Sequence, residues 1–164
     1  MKISEERTEV DLKQEFVGAV SDHFRQITPL LDSELAAMTR KTYPGSVRFF
    51  LFEYDSPHFS EDFPVSMWPM GTDGNPVEDG LWFLKGKAVA APTEIYEAEK
   101  YEVIEPWDTA SELLECWLVE RWSKIAEQRR AYRAFIGHRD SYFKKNLLTG
   151  QQTNWDEILE AING

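Results

Sequence analysis

The chain has one cysteine, three histidines and no long apolar run, and each shortage removes a class of function. Cys116 has no second thiol to pair with, so an internal disulfide is excluded, and a thiolate-rich zinc site with it. His23, His58 and His138 stand far apart in sequence with no ligand-like spacing, so neither a structural metal nor a cofactor is expected. No stretch approaches the ~20 apolar residues that cross a bilayer. The opening MKISEERTEVDLKQ is charged where a secretory signal is apolar. The expectation is a cytoplasmic protein without a membrane partner. Positive charge is scarce as well, with 18 Lys+Arg against 29 Asp+Glu and a net charge of −11. That balance argues against direct nucleic-acid binding, because phosphate contacts need a basic footprint. Linkers, internal repeats, low-complexity tracts and catalytic motifs are also missing.

What is present suits a folded chain. Of 164 residues, 42% are hydrophobic and 13% aromatic, enough for one α+β domain with a real core. Residues 1–42 read as helical, 43–108 as a β region and 109–164 as helical again. Leu12, Phe16, Val20 and Phe24 recur at helical spacing over Ser4 to about Gln26, with His23 at the edge of the stripe. Thr28-Pro29 reads as a fresh helix start, with Leu30, Leu31, Leu35 and Met38 inward and an end near Lys41.

Val47 to Tyr54, VRFFLFEY, is apolar on both faces past Arg48 and predicts a central strand covered on both sides. Phe63 to Met70 carries Pro64 and Pro69 and predicts a short or edge strand. Leu81–Leu84, Lys87–Ala91, Glu94–Glu97 and Tyr101–Ile104 supply further strands. The connections are too short for helical crossovers, so the expected product is an antiparallel β-meander of about four to six strands.

Thr109-Ala-Ser-Glu112 has the form of a capping box. Leu114, Leu118, Trp122, Ile125, Arg129, Tyr132 and Ile136 follow on one stripe and predict a long helix to about Phe135, closed by Gly137. Trp117, Leu118 and Trp122 are expected in the core, and Cys116 reads as a small buried apolar residue. Asp140–Leu147 reads as a short helical segment. Trp155–Ile162 reads as a last helix capped by Thr153.

The charge is unevenly placed. Residues 1–42 carry a net −2, residues 43–108 a net −9 and residues 109–164 none. Such asymmetry bears on partners and association rates rather than on fold. The acidic ladder Glu94, Glu97, Glu99, Glu102, Glu105 and Asp108 lacks the compact spacing of a calcium loop. Its members either protect strand edges or steer a basic protein. Trp68 and Trp82 lie on strands beside acidic loops, a composition suited to a binding hot spot. Glu97, Glu99, Glu102, Trp68 and Trp82 are therefore the candidate partner-binding residues.

In size and composition the chain resembles bacterial toxin-immunity proteins and phage inhibitors of host-defence nucleases. The resemblance implies a small acidic protein that occludes a basic surface of a nuclease or toxin. It carries no motif and assigns no residue a role. Two other readings compete with it. Asp55, His58 and Glu61 place a histidine among carboxylates, which suits an oriented base in an enzyme, against the ordinary wetness of a polar loop. A pocket between sheet and helix would suit a small-ligand-binding or structural subunit. The basic run from Arg129 to Lys145, with Arg130, Arg133, Arg139 and Lys144, could hold an acidic group; the simpler reading is internal pairing or a solvated face.

Overall fold

The computed structural model describes residues 8–55, 65–83, 98–125 and 132–164. Helix α1 spans Glu9–Arg40, with the Thr8 side chain accepting from the Asp11 amide. Strands β1 (Phe49–Tyr54), β2 (Val65–Met70) and β3 (Leu81–Phe83) follow. A 3-10 helix, Glu99–Ile104, leads into α2, Pro106–Ser123. Strands β4 (Arg133–His138), β5 (Phe143–Asn146) and β6 (Gln152–Asn154) precede the last helix, α3, Trp155–Asn163.

The fold is α+β, but the sheet is mixed rather than an antiparallel meander. Its six strands run in the order β3-β2-β1-β4-β5-β6. The β1–β4 pair is parallel, Phe49 facing Arg133 through Tyr54 facing His138, and the other four pairs are antiparallel. The crossover that permits a parallel pair is the helical segment between β3 and β4, α2 included. That helix is shorter than its sequence stripe predicts. Among the described residues α2 ends at Ser123, and the last members of the stripe, Tyr132 and Ile136, belong to the entry of β4 and to β4 itself.

The N-terminal helical pair, expected to form one bent or hairpin unit, is a single 32-residue helix with Pro29 inside it. Pro29 removes one backbone donor from it, yet the helix continues. The Thr28 hydroxyl donates to the Phe24 carbonyl, and Phe24 and Leu31, on either side of the proline, are both buried. Leu30, expected inside, is 45% exposed. The long helix starts earlier than the capping box suggests, with Pro106 in its first turn, where a missing amide costs nothing. Thr109 donates instead to the Ile104 carbonyl. Tyr101–Ile104 is 3-10 rather than strand, because Tyr101 turns in to stack edge-on against Phe16. The segment read as helical over Asp140–Leu147 contains β5, and Asn154 rather than Thr153 caps α3. Strand β2 is internal, between β3 and β1. Pro69 fits there because β3 pairs with β2 only as far as Met67, so no β3 carbonyl faces the missing amide, while the Pro69 carbonyl accepts from the Val77 amide. The strands expected at Lys87–Ala91 and Glu94–Glu97 lie outside the described residues.

Strand β1 is central, as its two apolar faces require. Phe50, Phe52 and Tyr54 meet a core built from α1 and α2, including Phe16, Val20, Leu114, Leu118 and Trp122. Phe49 and Leu51 meet a second cluster under α3, with Phe135, Ile158 and Trp155. Trp117, Leu118 and Trp122 are buried, and Phe24 stacks on Trp117 at 4.6 Å. Cys116, one residue off that face, is exposed rather than buried.

Candidate functional site

Polar groups gather on both faces of the sheet where β1 and β4 end. α3 covers only the part of its face near Phe49, Leu51 and Phe135. Past it, one row crosses the sheet: Trp82 on β3 pairs with Ser66 on β2, Ser66 with Glu53 on β1, and Glu53 with Gly137 on β4. Lys144 on β5 lies over Gly137, where a β-carbon would fall 2.5 Å from the Lys144 Cδ. Glycine is required there because the lysine stem fills the space.

Lys144 is the least expected residue of the site, a lysine with 5% exposure in the middle of a strand. Its ammonium donates to the His138 carbonyl at 2.9 Å and stands 4.0 Å from the Glu53 carboxylate. Burial pushes the Lys144 amine below its ordinary range, and burial pushes the Glu53 carboxyl up despite the lysine beside it. Asp55, at the end of the same strand, pairs with Arg139 at 3.6 Å. Trp68 lies half-buried between this row and α3, its indole N–H donating to Ser66 Oγ at 3.0 Å. Trp82 is 52% exposed. The acidic loop that includes Asp73, Glu78 and Asp79 runs along this edge, and Gly80 packs against the Trp68 ring.

On the opposite face, Tyr54 donates to the Glu115 carboxylate at 2.9 Å. Burial raises the Glu115 carboxyl, and burial together with Glu115 holds the Tyr54 hydroxyl above its usual range. Glu53 and Glu115 thus share a direction. Between the ordinary carboxyl value of 4.5 and their raised values, the folded chain binds more protons than the unfolded chain. Their contribution to stability therefore falls as pH rises through that window. Urea unfolding from about pH 4.5 to 7 should show a steeper decline for the parent chain than for a Glu53→Gln, Glu115→Gln variant. Equal slopes would mean that neither carboxyl is desolvated.

The candidate partner-binding residues divide. Trp68 and Trp82 share a face of the sheet. Glu99 and Glu102 are exposed on the 3-10 helix, which packs against α1 and α2 across the sheet from them. Glu97 lies outside the described residues, as do His58 and Glu61 of the histidine loop; Asp55 sits in the Arg139 pair. Arg129 and Arg130 are also outside. The described part of the basic run is largely engaged: Arg133 donates to the Ala161 carbonyl, Arg139 pairs with Asp55, and Lys144 faces Glu53. Arg121, just before it, holds Asp32 through two hydrogen bonds, 2.7 and 2.8 Å. Sequence reasoning missed the Glu53–Lys144 and Tyr54–Glu115 pairs. The available signal is Gly137, which marks a close approach between strands rather than a helix stop.

Among the described residues no group of three His, Cys, Asp or Glu side chains is placed to hold a metal ion. No described helix is long and apolar enough to cross a membrane. Comparison with family models, with curated proteins and with solved structures finds no match to this chain.

Proposed function

We propose that this chain is a small acidic protein-binding protein of the inhibitor or immunity type, which occludes a basic surface of another protein. The observation that carries the reading is Trp82, half exposed on the part of the sheet that α3 leaves uncovered, with Trp68 beside it. Large rings placed where water can be displaced supply most of the affinity in protein interfaces. The acidic loop along the same edge, and the net −9 of residues 43–108, supply the attraction that speeds encounter with a basic partner. Glu99 and Glu102, on the other side of the sheet, act in this reading through the long-range field rather than by contact.

The test is capture from an extract of the native cell on immobilised chain, followed by binding kinetics. The expected result is one basic protein retained by the parent chain. Trp82→Ala should speed its dissociation roughly tenfold or more, as loss of a hot-spot ring does. Reversing Glu99 and Glu102 to lysine should slow association and flatten its salt dependence, leaving dissociation alone. An acidic partner, or kinetics indifferent to both changes, would overturn the reading.

A further inference from the structure

The face of the strand ends opposite the tryptophans carries a cleft of about 150 Å³, at the C-terminal ends of β1 and β4 and beside α2. Adjacent parallel strands commonly open their ligand crevice at that end. The volume falls below the ~300–1,000 Å³ of pockets that take drug-sized molecules, so a nucleotide is too large and a compact metabolite is the right scale.

Three charged side chains line the cleft, Glu115, Lys144 and Lys145. The Lys144 ammonium is taken up by the His138 carbonyl and Glu53, which leaves two charges of opposite sign, Glu115 and Lys145. Glu115 is fixed by the Tyr54 hydroxyl, at 2.9 Å, and makes no ion pair within 4 Å among the described residues. Lys145 also lines the cleft, and its ammonium lies 4.0 Å from the Cys116 sulfur. It too makes no ion pair within 4 Å among the described residues. The two sense each other through space, yet stand too far apart to form a salt bridge. His138 also lines the cleft. Its Nδ1 accepts from the Asp140 amide at 3.1 Å, which puts the ring proton of the neutral form on Nε2. A carboxylate and an ammonium that line one small cavity without forming a salt bridge with each other are complementary to a molecule that carries both charges. Burial also raises the Glu115 carboxyl, a penalty that a ligand ammonium would relieve.

We propose that this cleft binds a compact zwitterion of the α-amino acid class, its ammonium on Glu115 and its carboxylate on Lys145. Neither Trp68 nor Trp82 lines the cleft, so the site is distinct from the tryptophan surface, although Gly137 and Lys144 border both.

The test is a titration of the isotopically labelled chain with glycine, L-alanine and L-glutamine, followed by NMR, with acetate and methylammonium as single-charge controls. At least one amino acid should bind with a dissociation constant below about 10 mM, shifting signals of residues 137–145 and of α2, and each control should bind about tenfold more weakly or less. Glu115→Gln and Lys145→Met should each weaken binding by about tenfold or more, the usual loss for a charged hydrogen bond. Trp82→Ala should bind as the parent does. Lys145 is partly exposed, so its variant keeps the test decisive if Glu115→Gln fails to fold. Absence of binding by all three amino acids would overturn the proposal. So would acetate or methylammonium binding as tightly as glycine, or amino acid binding unchanged in the Lys145 variant.

Discussion

Replacing Trp122 with alanine is expected to cost about 3–5 kcal/mol of folding stability, the range for deleting a large buried ring. Trp122 is 2% exposed and sits on the last full turn of α2. Its ring meets Phe52 edge-on, with centroids 6.0 Å apart. Phe52 is fully buried and in turn packs against Phe83. The indole therefore joins α2 to β1 directly and to β3 through Phe52, and alanine would leave a hole beside rigid rings that cannot collapse into it. Chemical denaturation monitored by far-UV circular dichroism gives the number. A loss under about 1 kcal/mol would place the ring at the surface.

Lys144→Met should cost about 3 kcal/mol, the lower end of the loss on removing one member of a buried ion pair. Methionine keeps most of the stem volume over Gly137, so packing changes little. What changes is polar. The His138 carbonyl loses its donor, and Glu53 loses the cation 4.0 Å away. Glu53 retains 19% side-chain exposure and so keeps some hydration, which places the cost at the low end. A second substitution, Glu53→Gln, should recover most of the loss, because the orphaned charge is then gone. Urea unfolding of the two single variants and the double variant measures the coupling. If Lys144→Met is as stable as the parent, the buried lysine contributes nothing to stability and the pair is incidental.

The sequence made the centre of the molecule legible and obscured its middle topology. VRFFLFEY is apolar on both sides, and β1 is covered on both sides. Trp117, Leu118 and Trp122 keep helical spacing and are core. The misreading of α2 has a specific cause. Tyr132 and Ile136 continue the helical stripe by coincidence of spacing, and in the structure they pack against the same core from the sheet side. Periodicity cannot distinguish a helix that continues from a strand that returns to the same core. Strand β5 was hidden for the opposite reason. Phe143-Lys-Lys-Asn lacks an apolar alternation, and its buried position is filled by a lysine stem whose charge is met by Glu53 and a carbonyl. That compensation depends on residues distant in sequence. The same holds for the cleft, where Glu115 and Lys145 become neighbours only through the parallel pairing of β1 with β4.

That pairing also sets an order of events during synthesis. β1 acquires β2 as soon as the first hairpin emerges, but its other side stays unsatisfied until β4 is made, about half the chain later. Contacts of such separation close slowly, because the intervening loop entropy must be overcome first. Until then a nascent chain presents VRFFLFEY as an open, aromatic edge, the kind of segment that recruits a second copy. A ribosome-bound chain stalled before Arg133 should therefore be a client for chaperones and should aggregate on release. One stalled far enough beyond Asn154 for β6 to clear the exit tunnel should not.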